Sequence, residues 1–127
     1  MPRREVLAAP GMFMHENPIP TALKMGQFVF SSALPGIEPD TQAVPDNPAR
    51  QMTLAFEQVR RTMEAAGGTP SDIAKMTIFL KDLKFRSLVN EEWLRMFPDT
   101  TDRPVRHVIQ LDLPRGYVVQ VEIMAII

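Results

Sequence analysis

The 127-residue chain contains no cysteine, so disulfides, thiolate nucleophiles and cysteine-ligated metals are excluded at once. Histidine is scarce as well. With only His15 and His107, a zinc site lacks its usual ligands. No apolar stretch approaches the ~18 residues that a membrane span needs. The opening segment "MPRREVLAAP" lacks the apolar run of a signal peptide. A cytoplasmic protein with no membrane partner is the expectation. Neither sign of charge is in excess: 14 Lys and Arg against 15 Asp and Glu give a net charge of −1. Nucleic-acid binders normally carry a basic domain or stripe, so nucleic acid is not an expected partner, although a small cationic pocket is still allowed. There is no internal repeat, low-complexity segment or linker.

What is present is an ordinary globular composition, 45% apolar, over a length typical of one domain. The expectation is a single domain spanning residues 1–127, with its nine methionines filling core and interface gaps. "REVLAA" reads as a short first strand, followed by an irregular proline-rich loop over residues 10–20. Residues 27–33 read as a strand. A second loop leads to the clearest element, a helix from Pro48. Asp46 or Asn47 can cap it, and proline suits its first turn. Met52, Ala55, Phe56, Val59, Met63 and Ala66 form one apolar stripe, and Gly67 and Gly68 close the helix.

Residues 72–82 favour a strand, with Ile78, Phe79 and Leu80 as β-formers. A second helix over residues 85–97 places Leu88, Trp93, Met96 and Phe97 near one side, and Pro98 stops it. Two long strands, residues 105–113 and 117–127, flank a turn at 114–116 and read as an antiparallel hairpin. The order is thus β-β-α-β-α-β-β, an α+β chain with both helices on one face of a mixed sheet. In the last strand Val119, Val121, Ile123 and Ala125 suit helix packing. Val118, Gln120, Glu122 and Met124 form a mixed face of the kind found at subunit interfaces.

The stretch "RPVRHVIQ" is the chemically conspicuous one, because polar and cationic groups open a buried-looking strand. Arg106 has two readings: a guanidinium fork that grips a ligand carboxylate, or an ion pair with Glu122 or Asp112. On the residues alone the ion pair is the plainer reading. Arg103 reads as a loop residue in a surface ion pair. His107 should face away from Arg106, since side chains alternate along a strand, and reads as a structural histidine.

Several stretches in order resemble the Rid superfamily, the reactive intermediate deaminases also called YjgF-like or L-PSP proteins. They are "NPIPTALKMGQFVFSSA", "EPDT", "AFEQVRRTMEAAGG", "DIAKMTIFLKDL", "VNEEWLRMFPD", "RPVRHV" and "LPRGYVVQVEIMA". Together they run from about residue 17 to the carboxyl terminus. The resemblance implies a chorismate-mutase-like α+β fold and a homotrimer whose sheets form an inner barrel. It also implies subunit-interface clefts that bind small carboxylates, and hydrolysis of enamines or imines to 2-oxo acids and ammonia with no metal or organic cofactor.

Carried over residue by residue, the resemblance makes Arg106 the carboxylate-binding arginine. Ser32 and Ala33 supply main-chain contacts, and Ile19 lies beside the ligand. Gln120 holds the catalytic position where deaminases of the family carry glutamate, and Ile19 stands where they carry tyrosine. An amide orients water but has no proton to exchange near neutral pH. Glu122, two residues on, and His15, in the first loop, are further candidates. Three functions are weighed. The first is an enamine/imine deaminase, of the 2-iminobutanoate/2-iminopropanoate type or a 2-aminomuconate-type enzyme of aromatic breakdown. The second is a non-catalytic metabolite-binding or sensing protein. RNA cleavage, disfavoured by charge, is the third.

Overall fold

A computed structural model describes residues 2–127. The elements in chain order are β1 (Glu5–Leu7), β2 (Ala22–Met25), β3 (Phe28–Ser31), β4 (Leu34–Pro35), α1 (Pro48–Ala65), β5 (Ile73–Leu80), α2 (Arg86–Met96), β6 (Val105–Gln110) and β7 (Val119–Ile126). The strands form one sheet in the order β1-β2-β3-β7-β5-β6, with β4 pairing separately along β7. Among the described residues only β5 and β6 run parallel.

The expected α+β architecture is present, with two additions in the amino-terminal half. Residues 22–25, left between the expected elements, form β2. It folds back on β3 through Gly26 and Gln27, so that Met25 faces Phe28. Gly26 has φ +57°, the left-handed conformation that a two-residue hairpin turn needs at its first position. The second addition is β4, at the start of the second loop, before α1.

The first helix follows local chemistry closely. Asn47 caps it through its side chain, which accepts from the Arg50 N–H at 3.0 Å, and Pro48 occupies the first turn. At the other end Gly67, at φ +84°, lets its own N–H reach the Glu64 carbonyl and the Gly68 N–H reach Met63. These are the paired bonds of a Schellman close. The whole expected stripe is buried.

The expected carboxy-terminal hairpin does not form. β5 lies between β6 and β7: Met76 faces Arg106 on one side and Ile123 on the other. The reason is apolarity. Met76, Ile78 and Leu80 of β5 are completely buried, whereas β6 exposes Val105, His107 and Gln110 and is fit only for an edge. A parallel β5–β6 pair needs a crossover, which α2 supplies.

The core lies between the sheet and its helices. Val119, Val121, Ile123 and Ala125 meet Phe56, Val59, Val89 and Trp93; each large apolar side chain buried this way contributes about 1.5–3 kcal/mol. On the opposite face the alternation leaves Gln120, Glu122 and Met124 of β7 uncovered, as expected. Phe28 stacks on Phe30 there at 6.3 Å, and it is 51% exposed. Among the described residues no helix is long and apolar enough to cross a membrane.

Candidate functional site

Arg106 stands on edge strand β6 level with buried Met76, so its side chain is on the helix-covered face. There it meets α2. Asn90 and Trp93 are three residues apart on that helix and therefore neighbours on its surface. The Arg106 Nη2 donates to Asn90 Oδ1 at 2.9 Å, and the guanidinium carbon lies 4.9 Å from the Trp93 ring centroid. Trp93 is itself buried and packs edge-on against Phe97 at 4.8 Å. The indole is thus a fixed floor that aims the guanidinium.

A cleft of about 370 Å³ opens beside it, lined by Asn90, Trp93, Leu94 and Arg106. Among the described residues no carboxylate lies within 4.0 Å of Arg106. Neither expected ion-pair partner is in place. Asp112 lies 3.8 Å from Lys81, and Glu122 projects from the other face of the sheet. Partial burial, and after it the charge of Arg86, push the Arg106 pKa below its ordinary value. Both effects oppose the cation, and an anion in the cleft would offset both.

Gln120 and Glu122 lie on the uncovered face. Gln120 is level with Phe79 of β5 and Pro35 of β4, and Glu122 with Thr77. A hairpin turning at residues 114–116 would set Gln120 opposite Gln110; with β5 between the strands, the β6 residue on its level is Ile109, across Phe79. His107 shares this uncovered face, level with Thr77, as its alternation with Arg106 implies.

Ser32 and Ala33 lie where β7 changes partners. Phe30 faces Met124 and Leu34 faces Val121, so the chain carries one residue too many and bulges. Three hydrogen bonds hold the bulge. Ser31 Oγ accepts from the Ile123 N–H at 2.9 Å, Ser32 Oγ donates to the Pro20 carbonyl at 2.8 Å, and the Ser32 N–H donates to Thr21 at 2.8 Å. Ser32 is thereby tied to the loop that carries Ile19, which is 46% exposed on the rim of an apolar trough with Met12, Phe13 and Met14.

That loop is pinned by two glutamines that sequence reasoning passed over. Gln58, buried in α1, donates to the Gly11 carbonyl and accepts from the Phe13 N–H, both at 2.7 Å. Gln42 accepts from Met14 at 2.9 Å and donates to Met12 at 3.1 Å. The missed signal was legible: Gln51 and Gln58 are seven residues apart and lie within the buried arc of Met52, Ala55 and Val59. A glutamine inside an apolar stripe needs buried partners. His15 is turned to a local task, with Nδ1 accepting from the Asn17 N–H at 3.2 Å and its ring against Phe13. Arg103, expected in a surface ion pair, instead donates to the Phe97 carbonyl at 2.9 Å and satisfies the end of α2.

The named residues therefore fall into two groups. Ile19, Ser32, Ala33, Gln120 and Glu122 lie along the bulge and the uncovered face, while Arg106 lies under α2. Gln120 and Arg106 are three residues apart along β5 and on opposite sides of it. That is about 14 Å between backbones at ~3.3 Å per residue and ~4.8 Å per strand. Their side chains also leave opposite faces, so one chain does not close both on one small ligand. Among the described residues no group of three or more His, Asp or Glu is placed to hold a metal ion.

The chain is similar to known proteins over most of its length. The pattern of the family described as endoribonuclease L-PSP matches residues 14–127. A RutC family protein of Haemophilus influenzae is 31% identical over 113 residues, covering 87% of both chains. The 2-iminobutanoate/2-iminopropanoate deaminase of Salmonella typhimurium is 29% identical over 112 residues, covering 87% of this chain and 88% of its own. The crystal structure of Escherichia coli TdcF with bound serine superposes with a TM-score of 0.89 at 26% identity, over 97% of this chain and 98% of that one. The motifs quoted above, the sheet order and these matches agree: this chain belongs to the L-PSP family, within the Rid or YjgF-like superfamily.

Proposed function

We propose that this protein hydrolyses imines or enamines of small carboxylic acids, releasing ammonia and a 2-oxo acid, in a cleft that a second copy of the chain completes. One observation carries the reading. Arg106 is aimed into a cleft by Asn90 and Trp93 and has no carboxylate partner among the described residues. Holding a carboxylate there also fixes the adjacent C=N carbon for attack, and positioning of this kind supplies much of the rate of an easy hydrolysis.

The chemistry asks little of the protein. Water adds to the electrophilic carbon, the C–N bond breaks, and the two protons of water leave on nitrogen as the carbonyl forms. The Gln120 amide can hold that water, and Glu122 is the ionisable group beside it that can take a proton. The deaminase name of the Salmonella relative supports this reading.

The opposite orientations of Arg106 and Gln120 require the guanidinium of one chain to meet the Gln120 group of another. The uncovered Phe28, Phe30 and Met124 support a homotrimer built on that sheet face, with an inner barrel. On this reading the protein is cytoplasmic, its partners are a small carboxylate metabolite and its own copies, and no cofactor takes part. Ammonia release from freshly generated 2-iminobutanoate tests the proposal. Wild-type protein should accelerate it and Arg106→Ala should not; no acceleration by the wild type would end the catalytic reading. Gln120 favours one second reading, a carboxylate-binding protein without turnover. It would show as 2-oxobutyrate binding that depends on Arg106 without ammonia release.

A further inference from the structure

The Arg106 cleft has walls of two kinds. One carries the guanidinium, held by Asn90 at 2.9 Å and floored by Trp93 at 4.9 Å. The other is Leu94, the fourth lining residue among those described.

The core does not account for Leu94. Helix α2 buries Val89 and Trp93, and Phe85, Leu88 and Met96 pack against the same cluster. Leu94 belongs to neither group among the described residues and is 53% exposed. A solvated leucine taken singly is ordinary. This one follows Asn90 by one helical turn, on the same side of α2, and lines the cleft into which the unpaired guanidinium points. The lining holds no acidic residue and one neutral polar side chain, Asn90, whose carbonyl oxygen already accepts from Arg106.

A ligand held at Arg106 by its carboxylate therefore lays its remaining atoms against an apolar wall. We propose that Leu94 makes this cleft selective for carboxylates with a branched aliphatic side chain, over those whose side chain is short or charged. This rests on the reading that Arg106 holds the carboxylate. Each methylene removed from water strengthens binding about fourfold, whereas a second acidic group turned toward Leu94 would lose water without gaining a partner. The cleft, at about 370 Å³, lies at the small end of the ~300–1,000 Å³ range of ligand pockets, which suits one small acid together with its side chain.

Calorimetric titration of the assembled protein with 4-methyl-2-oxopentanoate, 2-oxobutyrate and 2-oxoglutarate tests this. The first carries two more carbons than the second, and wild-type protein should bind it about tenfold more tightly. It should bind 2-oxoglutarate no more tightly than 2-oxobutyrate. Leu94→Ser should bring the tenfold ratio to about two or below, and Leu94→Met, which keeps an apolar wall, should retain most of it. A ratio near one in the wild type, as when a neighbouring copy covers Leu94, would overturn the inference. A ratio that survives Leu94→Ser, or a preference for 2-oxoglutarate, would do the same. Failure of the underlying reading looks different: 2-oxobutyrate would then bind no worse to Arg106→Gln than to wild type, or no ligand would bind at all.

Discussion

Arg106 and Gln120 leave opposite faces of the same sheet. The first stands level with Met76 under α2, and the second level with Phe79 on the uncovered side. A ligand that needs both must lie between chains, so ligand binding and subunit assembly are coupled in the proposed function. The predictions below separate the contributions of the two halves.

Arg106→Lys and Arg106→Ala should both lower the affinity for 2-oxobutyrate. Lysine keeps the charge but loses the planar fork and the stacking on Trp93. The alanine variant should lose at least about 30-fold, the equivalent of ~2 kcal/mol for a hydrogen bond to a charged group, and the lysine variant should fall between. Lysine performing as well as arginine would rule out two-point recognition. Titration calorimetry decides.

Gln120→Glu should raise ammonia release from 2-iminobutanoate at least about tenfold, because a carboxylate at that position can exchange a proton; general acid–base groups contribute ~10²–10⁴-fold. The gain should appear in kcat rather than in ligand affinity, which Arg106 sets. A variant no faster than wild type would show that the Gln120 side chain does not face the reacting water.

Gln51 holds the start of the last strand. Buried in α1, it donates to the Pro45 and Gly116 carbonyls at 2.8 and 2.9 Å and accepts from the Val118 N–H at 2.9 Å. Gln51→Leu leaves three main-chain groups unpartnered and should cost about 2–4 kcal/mol, read from urea unfolding.

Gly36→Ala should be at least as damaging. An added Cβ at Gly36 would sit 1.9 Å from the Gln51 carbonyl oxygen, and backbone cannot give way as a flexible side chain does; a cost of about 3 kcal/mol or more is expected. Wild-type stability in a purified Gly36→Ala variant would contradict this close approach of β4 to α1.

Two exposed carboxyls give a pH signature. Hydrogen bonds from Arg50 hold the Glu38 carboxyl below its ordinary value of 4.5. The Thr101 N–H, followed by the Thr101 hydroxyl, holds Asp99 below 3.8. Because both folded-state values are lowered, their stabilisation is present above the ordinary values and is lost as pH falls through the lowered ones. Unfolding midpoints followed from pH 6 downward should therefore fall less steeply in Glu38→Gln than in wild type. A parallel decline in both would remove Glu38 from the account.

Much of this protein is written locally. The Asn47 cap, the Pro48 start, the stripe from Met52 to Ala66 and the Gly67 close depend on residues within a few positions of each other, and α1 appears as they imply. The alternation of β7 is equally local, which is why its buried and uncovered faces, and with them Gln120 and Glu122, were legible, as was the placing of His107 opposite Arg106. The family motifs added the candidate ligands.

Tertiary structure alone decided how these pieces face one another. Periodicity along a strand says which residues share a face and nothing about which strand lies alongside. The insertion of β5 between β6 and β7 followed from competition among strands for the most buried place. That insertion took Arg106 away from Glu122 and Asp112 and set it on Trp93. The bonds from Gln51 to Gly116 and Val118 and from Gln58 to Phe13 join residues 45 or more positions apart, and such pairings exist only once the chain has closed on itself.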